Sequence, residues 1–578
     1  MALASTREFL AVAVAQNIWR SHLGATFTLA INLLAMKNSN LGTFTTVSPT
    51  LNFKTNSKSA TCMLTLNVKI VGQNSIAQAV APPTHITQQG KSLAYMKADA
   101  NFSANVWNVP SSLKQSNHLM NNMKTPIKDF ARKYALSKPV RLHMPGHKGV
   151  SFLGAEKFDL TEIDGADVLY SATGIIAESM ANATALFESK KTVYSTEGSS
   201  LAIRAMLHLI KGYAGLENGN AKVLAYRNAH KTFITSSALL DVDVKFVEND
   251  QNGILSCDFD LSTLESAIIK EKPTAVFVTS PDYLGHLAPI GEMAELCHKY
   301  GVILAVDNAH GAYLKFAKDC THPIDQGADL VCDSAHKTLP VLTGGAYLHI
   351  GKSAPEYFLK NAVTALSLHA STSPSYLLLQ SLDNANKILG ENPDYFDKAI
   401  SMLDTLKIRL QQMGYTLVGN EKMKLTLSLK PYGYTGIDIG RLLEARGIFV
   451  EFADEDYVTM MFSPCNSKRD FKRVEKALVN IPKLPEITST APAGHILKMG
   501  MPMSEAITAS AEEIDVKDAV GRILSSPTVS CPPAIPVAVC GEIIDEKAVE
   551  IMEYYSIKTC VVVKKQKKGF LSFLKSKI

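Results

Sequence analysis

From residue 190 to residue 350 the chain alternates short, unbroken β-branched runs with stretches long enough for helices. "KTVYS" leads into "SSLAIRAMLHLIKG"; "KVLAY" and "VKFVE" follow; "TAVFVTS" leads into "IGEMAELCHKYG"; then come "VILAVD", "ADLVCD" and "GAYLHI". A strand with one wet face alternates apolar and polar residues. These runs do not, so both their faces are covered. Continuous strands joined by helices predict an α/β fold with a mostly parallel sheet between helical layers. Ligands of such sheets sit at the carboxyl ends of the strands, so the residues that follow each run carry the interest.

At 578 residues the chain exceeds what one core supports. The expected large domain spans 123–389, and a smaller α/β unit spans 390–485, with the helix-like "YFDKAISMLDTLKIRLQQMG" and the strand-like "KLTLSL". A Pro-rich linker at 486–494 leads to a third domain at 495–563 and a basic tail at 564–578. The tail clusters Phe570, Leu571, Phe573 and Leu574 among lysines, which would suit an acidic membrane surface. A solvated terminus is the commoner outcome. No apolar run reaches the length of a membrane span.

Residues 1–122 differ in kind: rich in Ser, Thr, Asn and Ala, they hold nine Lys/Arg and only two acids, Glu8 and Asp99. A transit segment would be acid-poor and Ser-rich, and "FLAVAVAQ" faintly resembles a signal core. The favoured expectation is translation from Met123, with 1–122 outside the fold and without sustained periodicity. Removing this segment leaves the body with a balance of −2, although the whole chain is +5. Such a body lacks the basic footprint of a nucleic-acid binder. Nine cysteines are scattered with no CxxC and no metal-type spacing. That pattern points to a reducing compartment and a cytoplasmic location.

At the strand ends, Gly198, Ser199 and Ser200 open a helix whose free N–H groups and hydroxyls suit a phosphate. An ordinary Ser cap explains them as well. His230 follows the second run and would normally be a structural histidine. Asp307 ends an apolar strand, where a carboxylate is costly unless paired. One strand later stand Ser334, His336 and Lys337, followed by the flexible-looking "TGG". Each piece is weak, but together they are what pyridoxal phosphate requires. A lysine binds the aldehyde, an aspartate keeps the ring nitrogen protonated, hydroxyls and N–H groups hold the phosphate, and a flat side chain covers the ring.

The wording of the motifs is more specific. "HMPGHKG" (143–149), "RNAHK" (227–231), "VDNAHGA" (306–312), "DSAHKT" (333–338) and "STSPSYLLLQ" (371–380) resemble the signatures of the ornithine/lysine/arginine decarboxylase family. "MSEAITASAEEIDVKDAVGRI" and "CPPAIPVAVCGE" resemble that family's C-terminal domain. The resemblance implies the aspartate-aminotransferase fold (fold type I), pyridoxal 5'-phosphate, and decarboxylation of a basic amino acid in polyamine biosynthesis. It makes Lys337 the cofactor lysine, Asp307 the partner of the ring nitrogen and His230 the cover of the ring. It gives the phosphate to Gly198, Ser199, Ser200, Ser334 and His336, and places His310 near Asp307. Thr372 would reach the phosphate of a neighbouring subunit, which implies a homodimer or a higher even-numbered assembly. No metal is implied.

Differences stand at Glu197 (commonly Asn), in "LTGG", which lacks the usual glutamine, and at Cys531 and Ala534. They bear on the substrate and leave the cofactor chemistry intact. Three carboxylates are candidates for reading a substrate's distal cation: Asp282, Glu451 and, ahead of them, Glu542 of the C-terminal "GE". An aminotransferase, a Cα–Cβ lyase and a non-catalytic cofactor-binding regulator stand as rivals on the same apparatus.

Overall fold

The computed structural model describes strands between residues 27 and 87, and then residues 123–216, 219–247, 255–257, 259–531 and 535–565. Residues 1–115 and 116–578 are separate compact units. The first holds a six-stranded sheet built on Phe44–Thr55 and Ser59–Ile70, antiparallel with Thr50 opposite Thr65. This corrects the expectation of no strand periodicity. "SATCMLTLNVKI" places apolar residues at 60, 62, 64, 66, 68 and 70, a period of two broken only by Met63 and hidden among many Ser, Thr and Asn. Met123 is already buried in the second unit, packed beside Gly390. A chain beginning at Met123 is therefore expected to stay soluble and bind cofactor as the full chain does, checked by absorbance titration. Aggregation of that shorter chain would show that the first unit is needed.

The second unit is built on seven strands: β1 (Lys191–Ser195), β2 (Lys222–Ala225), β3 (Asp243–Phe246), β4 (Ala275–Thr279), β5 (Ile303–Asp307), β6 (Leu330–Asp333) and β7 (Ala346–Ile350). Their order is β1-β7-β6-β5-β4-β2-β3. Strands β2 to β6 pair parallel, while β7 runs antiparallel to both β6 and β1. β1 therefore points the same way as β6, and the mostly parallel α/β sheet is as expected. β4 to β7 are buried along their whole length, as unbroken apolar runs require.

Alternate residues of one strand serve opposite layers. Ala275 and Phe277 of β4 pack with helices α1 (Gly198–Gly215) and α2 (Lys231–Leu240). Val276 and Val278 pack with α3 (Ile290–Lys299). Phe277 stacks on Phe233 of α2 with ring centroids 4.3 Å apart. Each such buried ring contributes about 1.5–3 kcal/mol, which pins α2 to the sheet.

The smaller sheet comprises β8 (Thr416–Val418), β9 (Lys424–Ser428), β10 (Phe452–Ala453) and β11 (Tyr457–Met461), all antiparallel. Helix Tyr376–Glu391 runs through the expected boundary at 389, because its apolar stripe through Leu379, Leu382, Ala385 and Leu389 stays buried. In the C-terminal part, β12 (Ala511–Asp515) pairs with β15 (Thr559–Val563), and β13 (Thr528–Cys531) with β14 (Ile535–Val539). Met503, Ala506, Val539 and Cys540 share one core with α1 and α2. No helix among the described residues is long and apolar enough to cross a membrane. The tail at 566–578 lies outside the described residues.

Candidate active site

The carboxyl ends of β1, β2, β4, β5 and β6 line one edge of the sheet. Asp307 closes β5, where the register sets it beside Thr279 of β4 and Cys332 of β6. Asp307 is 2% exposed. Oδ1 accepts the N–H of Ala309 at 3.1 Å and the thiol of Cys332 at 3.4 Å. Oδ2 has no hydrogen-bond partner among the described residues. A buried carboxylate so thinly served is costly unless a positive group faces it.

After β6 the chain turns into one short helical turn, Ala335–Thr338, which carries Lys337 to the same edge. Nζ of Lys337 lies 2.8 Å from Nε2 of His310. Burial lowers the lysine's affinity for its proton, against the opposing charges of Asp307 and Glu451. His310 is pushed well below the usual histidine range by burial and then by the cations of Lys424 and Lys337. Its ring meets Tyr283 edge-on at 5.2 Å. Expected near Asp307, His310 is thus found directly on the lysine, as a neutral base.

His230 caps α2 by accepting the Thr232 N–H on Nδ1 at 3.2 Å, so the hydrogen of its neutral ring sits on Nε2. Burial lowers its pKa, and the charge of Asp307 opposes that shift, which places the ring in the field of the aspartate.

The residues expected to take a phosphate stand at the start of α1. Gly198 has φ +71°, and a Cβ there would meet nothing within 4 Å. The backbone conformation selects glycine, and the ground before the helix is open. Ser334 donates to Ser199 at 2.7 Å, and Ser200 and Thr232 share a hydroxyl contact at 3.1 Å. His336 donates from Nδ1 to the Gly345 carbonyl at 3.0 Å. Gly344 accepts the Gly198 N–H at 2.8 Å, so the "TGG" turn is a tied strut and not a loose loop. Glu197 accepts the Ser371 N–H at 2.7 Å and brings the 371–375 loop to this end. Thr372 itself is exposed and makes no hydrogen bond among the described residues.

Pyridoxal phosphate fits this set. Buried polar atoms without partners gather around these strand ends: Thr279 Oγ1, His310 Nδ1 and Thr338 Oγ1. Lys337 and Asp307 would hold its aldehyde and ring nitrogen, His230 would cover the ring, and the serines at the start of α1 would take its phosphate.

Two sequence candidates for the distal cation are corrected. Asp282 spends both oxygens on the N–H groups of Gly285 (2.7 Å) and His286 (2.8 Å) and on Ser256 (2.7 Å). Glu542 is filled by Arg227, at 2.7 Å on each oxygen. Sequence reading also missed the support behind Asp307. Asn308 donates to Asp333 Oδ1 at 2.7 Å, and His322 and His349 reach Oδ2 at 3.1 Å each. The Ile324 N–H donates to His322 Nδ1 at 3.2 Å, so Nε2 of His322 carries a hydrogen and serves Asp333 as donor. Lys424, likewise missed, donates to the carbonyls of Asp282 (2.9 Å) and Tyr283 (3.3 Å).

Known proteins resemble both the sequence and this architecture. Residues 125–416 match the major domain of the Orn/Lys/Arg decarboxylases, and residues 495–571 match their C-terminal domain. An arginine decarboxylase of Bacillus subtilis is 31% identical over 464 residues, 74% of this chain and 93% of its own. One from Halalkalibacterium halodurans is 30% identical over 458 residues, 73% of this chain and 91% of its own. The crystal structure of a lysine decarboxylase of Francisella novicida shares the fold, with a TM-score of 0.64 at 16% identity over 77% of this chain and 82% of that one. These matches select decarboxylation over the transaminase, lyase and regulator readings. With both family domains in place and a strand-end lysine and aspartate that suit pyridoxal phosphate, the chain belongs to the Orn/Lys/Arg decarboxylase family and is a pyridoxal-phosphate-dependent amino-acid decarboxylase.

Proposed function

We propose that the substrate is a basic amino acid, arginine first with lysine and ornithine behind it, and that the products are the corresponding amine and CO2. The arginine decarboxylases among its relatives support arginine. The observation that carries the substrate class is Glu451. Its negative charge favours the protonated forms of Lys337, Tyr283 and Lys424 alike, which puts it within electrostatic reach of the site. Its carboxylate is exposed and has no hydrogen-bond or ion-pair partner among the described residues. With Asp282 and Glu542 filled, it is the open acceptor of those three for a distal guanidinium or ammonium.

Bound pyridoxal phosphate supplies the sink for the electron pair left at Cα when CO2 departs. The chain's own residues do the rest. Asp307 holds a positive charge at the ring nitrogen. His310 Nε2 accepts a hydrogen bond from Lys337 Nζ and so fixes where the amine stands. His230 keeps a flat face against the ring, and burial of Asp307 and His310 excludes water. A second copy completes this reading, supported by Val140, Leu142, Phe152 and Leu153, which are 76–94% exposed on one segment.

Glu451→Gln is expected to lower kcat/KM for the preferred substrate by about 10- to 100-fold, the 1.5–3 kcal/mol of a charge-assisted hydrogen bond. CO2 release from arginine, lysine and ornithine in both proteins measures it. Turnover of a neutral or acidic amino acid instead would defeat the substrate class while leaving the cofactor site standing.

A further inference from the structure

We propose that Glu542 of the C-terminal domain, acting through Arg227, positions His230, so that this domain is a working part of the cofactor site. The two side chains are 2% and 1% exposed. The two guanidinium nitrogens meet the two carboxylate oxygens at 2.7 Å each, a parallel fork. The same guanidinium donates to the carbonyls of Val537 at 2.9 Å and Pro536 at 3.3 Å. Glu542 is held in turn by the Val539 N–H at 2.8 Å. Among the described residues, every acceptor Arg227 uses belongs to the C-terminal domain, while its flat face rests on Phe246 at 4.7 Å.

Arg227 stands three residues before His230, on the loop between β2 and α2. The cap on Thr232 fixes the far end of that loop at His230, and the Tyr226 ring packs on Phe259 at 4.8 Å, while the polar groups between them are poorly served. Asn228 is buried with neither amide atom partnered, and the Tyr226 hydroxyl is unpartnered too. A buried ion pair adds little net stability compared with an apolar pair of the same size, because both charges lose their water. What the fork adds is direction: two parallel bonds define where the Arg227 backbone lies. His230 then leaves the loop at a defined height over the strand ends, and Phe233 and Ile234 continue the same contact into the core shared with Met503 and Ala506.

The clamp rests on the reading that His230 covers the cofactor ring, and the test separates the two. Full-length His230→Ala, Glu542→Gln and the double variant Arg227→Met/Glu542→Met are compared with the parent. The readouts are the melting temperature without cofactor, the cofactor Kd and the visible absorbance band. Glu542→Gln is expected to lose both thermal stability and cofactor affinity. The double variant should regain the melting temperature, yet keep a Kd raised about tenfold and a shifted band, as His230→Ala does. A double variant with parental Kd and band overturns the clamp, since the pair would then be packing alone. Parental Kd and band in His230→Ala overturn the ring-cover reading and the clamp with it. Should the double variant not fold, Glu542→Asp decides, because it keeps the charge but shortens the reach. A raised Kd there supports the clamp and an unchanged Kd overturns it.

Discussion

Lys337→Ala is expected to abolish turnover, lowering kcat by about 10⁴-fold or more, the scale of a lost acid–base group together with a lost covalent attachment. The fold should survive, because the helical turn around Lys337 is held by the buried side chains of Ala335 and Thr338. Geometry sets this lysine apart from its rivals. Lys424 is more deeply buried, but its ammonium donates to the carbonyls of Asp282 and Tyr283, which cannot take a proton. Lys148 is exposed and donates to the His143 carbonyl at 2.6 Å. Lys337 alone among these three meets an imidazole, at 2.8 Å, and burial makes its amine easier to deprotonate. Borohydride reduction of the loaded parent followed by peptide mapping should label Lys337, and CO2 release measures the loss. A label on Lys148, Lys231 or Lys424 would defeat the assignment.

Asp307→Asn should keep the cofactor and lose turnover by about 10²–10³-fold. An amide is neutral and cannot stabilise a proton on the ring nitrogen. Each pKa unit lost there is about 1.4 kcal/mol, or tenfold, and a neighbouring charge is worth two or three such units. Affinity should change little, since the proposed phosphate contacts of Gly198, Ser199 and Ser334 are untouched. The bonds from Ala309 and Cys332 to Oδ1 survive in the amide. Melting temperature should hold or rise, because a thinly served buried charge is removed. Absorbance titration and CO2 release are the measurements, and near-normal turnover would show that Asp307 is not the nitrogen's partner.

Much of the large domain was legible because its signals are local. "ILAVD" and "AVFVT" name buried parallel strands by being apolar throughout, and the strand-end rule then points at Asp307 and Lys337. Residues 59–70 were legible too, by their period of two, but the polar composition of the segment masked it. Asp282 and Glu542 were misjudged for another reason. A carboxylate in sequence looks the same whether it faces substrate or is already occupied. Residues 227 and 542 are 315 positions apart, and no periodicity links them.

By itself, then, the sequence determined which stretches become strands and helices and which residue types stand at the strand ends. Those properties depend on neighbours within a few positions: unbroken apolar runs, a glycine that accepts positive φ, a histidine or serine that can cap. Only the tertiary structure decided that β7 lies antiparallel between β1 and β6, that His310 meets Lys337, that Asn308 ties Asp307 to Asp333, and that Glu451 is open where Glu542 is filled. Each of these is a pairing of side chains or strands brought together by burial of the core, and burial rewards contact in space whatever the distance along the chain.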